Sequence, residues 1–277
     1  MSKADLHVHS HFSDGADSIQ MVMEKAAAAG ITHLSIVDHD TVKGQEEALK
    51  WAQTYQIQLI PGIEISAFDF KRNRKVHVLG YHFNSNKGHI VALCNKVLKR
   101  RQAHSIWQIG QIKKQGIPLS VKEISHIASP SETIYKQHIM AAITSEPYES
   151  EAYRKLYRSL FKGGGVAAFD IAYADVYDAI RAIKADGGFA VIAHPGQLDS
   201  YDLITELVDS QVGLDGVERI HPDHSEVDHQ RIDTLMERYD LFMTGGSDYH
   251  GAFGSSVRMG DFDSPMNRLL TDYLVCK

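Results

Sequence analysis

Residues 5–15 read DLHVHSHFSDG, which sets three histidines and two aspartates into one short run. Asp5, His7 and His9 alternate with Leu6 and Val8, the period of a β-strand whose two faces differ in chemistry. The apolar face suits packing against helices, and the opposite face carries two imidazoles toward an interior. A pair of neutral imidazoles on one face is half of a metal site. Asp14 follows where the strand has ended, whereas His11 falls outside the pattern, toward a mouth or solvent.

Working outward from this strand, a helical run over 18–29 ends at Gly30, and HLSIVDHD at 33–40 reads as the next strand. A helix near 43–55, a strand through QLIPGIEISA at 58–67 and another in KVHVLGYHF at 75–83 continue the β-α-β rhythm. It resumes after about residue 185 with GFAVIAHPG, DGVERIHP and LFMTGGSDYHG. Such alternation predicts a parallel sheet or barrel with helices outside. Between 86 and 185 the pattern is helical, with a long helix from about Asn86 and shorter ones near 121–128, 132–144, 150–161 and 175–186. The expected organisation is therefore a discontinuous α/β domain, 1–85 and 186–277, interrupted by a helical insertion over 86–185. KGGGV at 162–166 lacks the strand-loop-helix context of a phosphate loop and reads as a turn.

Ligand-type residues recur at the C-terminal ends of the predicted strands: His7 and His9, then Asp14, Asp38 and His39, Glu64, His77, His194, His221, and Asp248 with His250. In an α/β barrel that edge is where sites are built from many loops. His77 and His82 have opposite parity on one strand; His77 shares its face with Leu79 and Tyr81 and is taken as the inward one. Isolated histidines such as His33, His89, His104 and His126 are set aside as surface or capping residues. Nitrogen and oxygen donors without thiolate suit Mn, Fe or Zn, and more than six such ligands imply more than one ion. Adjacent divalent ions generate hydroxide near neutral pH, suited to in-line attack on phosphorus, so hydrolysis of a phosphate ester follows.

The bulk composition fits. The 277 residues are 43% hydrophobic, enough for a sizeable core, and the net charge of −6 gives no footprint for duplex DNA or an anionic membrane. The two cysteines, Cys94 and Cys276, stand in no metal spacing and read as reduced thiols. No run of about eighteen apolar residues occurs, and the polar N-terminal run leaves no room for a signal segment, so a cytoplasmic location is expected.

The segments DLHVHSHFSDG, VDHD, PGIEIS, VHVLGY, AVIAHPG, HPDHS and TGGSDYHG together resemble the polymerase and histidinol phosphatase (PHP) superfamily, in order and over nearly the whole chain. The resemblance implies a distorted (β/α)7 TIM-like barrel holding two or three divalent ions, manganese first, with iron or zinc as alternatives. It assigns one ion to His7, His9, Glu64 and Asp248, a second to the bridging Glu64 with His77 and His194, and a third to Asp14, His39 and His250, with Asp38 supporting His39. Within the superfamily, the insertion resembles that of nucleoside 3',5'-bisphosphate phosphatases and 5'-to-3' exoribonucleases. Their Gly-Arg-Pro-His motif corresponds here to Tyr135, Lys136, Gln137 and His138. Lysine offers a point charge where arginine offers a fork, which Arg101 in the basic run 99–101 is placed to supply.

The expected activity is removal of the 3'-phosphate from a nucleoside 3',5'-bisphosphate, with short RNA as a further substrate. Glu64 would act at the bridging position and His224 as the acid, and Arg101, Lys136, His138, His221 and His224 would contact substrate. Two competing expectations are a phosphatase for histidinol phosphate or another small phosphomonoester, and a metal-stabilised module without catalysis.

Overall fold

The structure, a computed structural model, describes residues 2–265, so Cys276 lies outside the described residues. The chain opens with β1 (Ala4–Val8), α1 (Ile19–Ala28), β2 (His33–Ile36), α2 (Gln45–Tyr55) and β3 (Gln58–Leu59), followed by β4 (Gly62–Asp69) and β5 (Arg74–Tyr81). Four helices come next, α3 (His89–Lys114), α4 (Val121–Ala128), α5 (Lys136–Ile143) and α6 (Glu151–Phe161). The remainder comprises β6 (Ala174–Asp175), α7 (Val176–Ala185), β7 (Phe189–Ile192), α8 (Pro195–Leu198), α9 (Tyr201–Asp209), β8 (Leu214–Ile220), α10 (Glu226–Tyr239) and β9 (Phe242–Gly245).

The strands form two sheets, ordered β1-β2-β3 and β6-β4-β5-β7-β8-β9. The stretch 58–67, expected as one strand, divides at Ile60-Pro61: β3 pairs with β2, while β4 pairs with β5 and β6. Proline cannot donate to a ladder, so the break hands the chain from one sheet to the other. Pairing is parallel except at β5, which runs antiparallel to both β4 and β7 and so departs from the all-parallel expectation. Two isolated bridges, Val8 to Tyr249 and His39 to Glu64, link the sheets.

The alternation expected for β1 brings His7 and His9 to the centre, while Asp5 is taken up by backbone groups. The β1–β2 register shifts between Asp5 and Val8. Asp5 instead accepts the backbone N–H groups of Ser247 and Gly260, and Leu6 clusters with Leu79, Tyr81 and Val191. Gly246 makes the close approach possible, since a Cβ there would stand 2.4 Å from the His7 backbone nitrogen.

Two of the apolar clusters separate the larger sheet from the insertion. Ile63, Ile65, Val76 and Val78 of the sheet pack with Val176, Ala179, Ile180 and Ile183, so α7, expected within the insertion, belongs to the sheet core. A separate core gathers Ile109, Ile112, Ile124, Ile139, Leu160 and Phe161 from α3 to α6. The 26-residue α3 serves both, contributing Ile90 and Cys94 to the first and Ile109 and Ile112 to the second. Burial raises the Cys94 thiol well above its usual range. Among the described residues no helix is long and apolar enough to cross a membrane.

Candidate metal centre

Glu64 on β4 is the hub. It is 1% exposed, and five imidazoles surround its two oxygens. Oε1 lies 2.8 Å from His77 Nδ1 and 3.0 Å from His194 Nε2. Oε2 lies 3.4 Å from His7 Nε2, 3.1 Å from His9 Nε2 and 3.2 Å from His39 Nδ1. Asp248 Oδ1 stands 3.3 Å from both His7 Nε2 and His9 Nε2. Asp14 Oδ1 stands 3.4 Å from His250 Nε2 and 3.7 Å from His9 Nδ1.

Three groups of ligand atoms lie within 4.8 Å: His7, His9, Glu64 and Asp248; His39, Glu64 and His77; and His9, Asp14, His39 and His250. The structure thus brings together all nine residues expected as ligands, with His194 on the same Glu64 oxygen as His77. His7 Nε2, both nitrogens of His9, His39 Nδ1 and Asp14 Oδ1 are buried without hydrogen-bond partners. Unsatisfied donors and acceptors converging on one space, at separations close to those of atoms sharing an ion about 2 Å away, are the arrangement a divalent cation completes. The donor set therefore fits metal.

Local structure aims these side chains. Asp38 accepts from Ser10 N, Ser10 Oγ and Ser13 Oγ, pinning the loop that carries Asp14. His194 (φ 23°) and Asp248 (φ 49°) hold left-handed backbones at strand ends, conformations costly for any residue but glycine and concentrated at functional sites. Electrostatics tie the cluster together. Burial opposes ionisation of Glu64, yet His39, His77 and His7 keep its carboxyl well below the usual range. Burial alone would lower His9, but Asp248 and Glu64 push it up to about 10. His39 falls to about 3, through burial and through its neighbours His9 and His77. Three carboxylates among crowded imidazoles form a sink for positive charge.

A cavity of about 460 Å³ opens beside the cluster. Asp14, His39 and His77 line it together with Lys75, Arg101, Lys136 and Lys162, and Tyr135, Tyr157 and Tyr173 contribute further wall. Arg101 is already engaged, with Nη2 2.8 Å from Asp40 Oδ2 and 2.9 Å from Ser66 Oγ. Lys75 pairs with Asp170. Lys136 has no ion pair among the described residues, and burial lowers its ammonium to about 8. A larger cavity of about 700 Å³, lined by Lys25, Tyr249 and Arg258, contains no metal-ligand cluster among the described residues.

Other expected substrate residues are placed differently. His138 does not line the cavity; its Nδ1 accepts the Tyr135 backbone N–H and caps α5. His224, expected as the acid, donates from Nδ1 to Arg219 O and accepts the Gly196 N–H at Nε2, so both nitrogens serve the backbone. His221 does face the centre, lining a second cavity of about 160 Å³ with Asp248 and His250. Its Nδ1 accepts the Asp223 N–H, which leaves the proton on Nε2, 3.4 Å from Asp248 Oδ2. Lys75, Lys162 and Tyr173 were missed, although Lys75 shares strand parity with His77 and could have been found that way.

A His/Asp/Glu donor set beside a cation-lined cavity defines a metal-dependent phosphoesterase. The chain belongs to the PHP domain family, whose model matches residues 5–209. It is 49% identical over 256 residues to the phosphoribosyl 1,2-cyclic phosphate 1,2-diphosphodiesterase of Eggerthella lenta, covering 92% of this chain and 97% of that protein. It is 29% identical to a 5'-3' exoribonuclease of Haemophilus influenzae, over 90% of each chain. Identity to the 3',5'-nucleoside bisphosphate phosphatase of Chromobacterium violaceum is 27%, over 90% of this chain and 88% of that one. A crystal structure of a Bifidobacterium adolescentis protein superposes with a TM-score of 0.87 at 25% identity, covering 99% of this chain and 96% of that one.

Proposed function

We propose that this phosphoesterase hydrolyses a cyclic phosphate diester on a ribose that carries a second phosphate. The observation that carries the reading is the shared cavity, lined by His39, His77 and Asp14 together with Lys75, Lys136 and Lys162. One end suits a reacting phosphate and the other a spectator phosphate. Similarity to the Eggerthella lenta diphosphodiesterase supports the cyclic substrate over the nucleoside 3',5'-bisphosphate that the motif resemblance favours.

His7, His9, Glu64 and Asp248 would hold one ion, Glu64 with His77 and His194 a second, and Asp14, His39 and His250 a third, with manganese the first candidate. Bound divalent ions supply a water deprotonated near neutral pH and neutralise charge gathering on phosphorus. Glu64 holds the ligand set together through both oxygens. Lys136, a point charge, attracts the spectator phosphate and sets which ester bond faces the centre. As a P–O bond to ribose breaks and water oxygen joins phosphorus, His221 Nε2 carries the proton for the leaving oxygen. The helices of the insertion wall the cavity through Arg101, Tyr135 and Lys136. The two sheets form the arcs of a distorted (β/α)7 barrel, joined at the Val8–Tyr249 and His39–Glu64 bridges.

The test is a parallel assay with manganese on phosphoribosyl 1,2-cyclic phosphate, a nucleoside 3',5'-bisphosphate, short 5'-phosphorylated RNA and histidinol phosphate. The cyclic phosphate should give the highest kcat/KM. A clear preference for the nucleoside bisphosphate would return the assignment to the bisphosphate phosphatases.

A further inference from the structure

Gln137 stands in the first turn of α5, in the helical insertion, yet its Nε2 donates to Asp14 Oδ2 at 2.9 Å. The other oxygen, Oδ1, is buried without a hydrogen-bond partner and lies on the side of His250 Nε2 and His9 Nδ1. A carboxylate free to rotate about its terminal torsion would present either oxygen or both. Holding Oδ2, which stands 3.9 Å from His39 Nε2, removes that freedom and leaves Oδ1 aimed at His250 and His9.

The helix that delivers Gln137 is itself fixed. Tyr135, at its N-terminus, donates from Oη to the His39 backbone carbonyl at 2.9 Å, and His138 caps it by accepting the Tyr135 N–H. One helix end of the insertion therefore touches the two loops that carry Asp14 and His39, which both belong to the group of His9, Asp14, His39 and His250.

We propose that Gln137 is a positioning residue that selects the ligating oxygen of Asp14 and thereby sets the affinity of the ion held with His39 and His250. The inference rests on the ligand reading given under Proposed function. Partners that orient a ligand from outside typically change metal affinity by about ten- to a hundred-fold. Gln137 would do so for one ion while leaving those on His7 and His77 alone, because it contacts no other ligand among the described residues.

The experiment is calorimetric titration of the metal-stripped full chain with Mn2+, comparing wild type, Asp14→Ala, Gln137→Met and Gln197→Met. Asp14→Ala identifies the ion in question. Gln137→Met should weaken that ion by about ten- to a hundred-fold and leave the others unchanged. Gln197 lines the same cavity and bonds Asp223 rather than a ligand, so its variant should titrate as wild type. Gln137 lies in the cavity wall rather than the core, so its replacement leaves packing intact. Wild-type affinities throughout in Gln137→Met, or an equal loss at every ion, would overturn the proposal. An Asp14→Ala protein that titrates as wild type would overturn the ligand reading itself, and with it the role of Gln137.

Discussion

Glu218 Oε1 lies 2.9 Å from His7 Nδ1, with both side chains completely buried. The second carboxylate oxygen accepts the His194 backbone N–H at 2.8 Å. One residue of β8 therefore fixes the tautomer of His7, turning Nε2 toward Glu64 and Asp248, and also steadies the strained turn at His194. Glu218→Gln should fold but hold metal about ten- to a hundred-fold more weakly. Metal content after dialysis against a graded chelator series measures this, and full occupancy across the series would contradict it.

His224 and His221 should separate cleanly. Removing His224 strands two backbone groups, so His224→Ala should lose about 1–3 kcal/mol in urea denaturation while keeping the wild-type shape of the pH–rate profile. His221→Ala should lower kcat by about a hundredfold or more. The opposite ranking would restore His224 as the acid.

Arg101 was expected to grip substrate, but its guanidinium neutralises Asp40, whose side chain is wholly buried. Breaking a buried pair leaves an uncompensated charge, so Arg101→Met should cost about 3–5 kcal/mol of stability. Asp40→Asn added to Arg101→Met should recover much of the loss. A double variant no more stable than the single one would show that the pair is not what the arginine supports.

Lys136 yields a pH prediction. Burial lowers its ammonium from 10.5 to about 8, so the charge is present below about pH 8 and disappears above it. For a substrate with a spectator phosphate, kcat/KM should fall as pH rises through that value. Lys136→Met should flatten this limb, and a substrate lacking the second phosphate should not show it. The linkage has the opposite sense for stability: between about pH 8 and 10.5 the unfolded chain binds more protons, so stability rises with pH across that window. Lys136→Met should therefore melt higher than wild type at pH 7, with the gain gone above pH 10.5.

The sequence carried well the residues that the structure gathers around Glu64, because strand period and strand ends are local properties. His7, His9 and Glu64 announce themselves by parity and by following apolar runs. The reversed direction of β5 was not legible, since alternation in KVHVLGYHF is the same whichever way a strand runs. Nor was the register shift between Asp5 and Val8, because it depends on pairing with β2. His224 and His138 look like chemistry in sequence but serve backbone groups that folding brings to them. Gln137 gave no signal, for its partner lies 123 positions away. α7 was assigned to the insertion by its neighbours in sequence, whereas its apolar face belongs to β4, β5 and β7.

Among the described residues, two isolated bridges, Val8–Tyr249 and His39–Glu64, link the two sheets beside the Ser247–Asp5 and Tyr81–Leu6 hydrogen bonds. At the second joint both partners belong to the donor cluster; at the first, Tyr249 lies between Asp248 and His250. Ions on these side chains would act as rivets along this seam, fastening residue 7 to residue 248 and residue 39 to residue 64. Demetallation should then unzip the molecule along that seam first, with amide exchange rising at residues 8–9 and 37–40 well before the interior of the larger sheet opens.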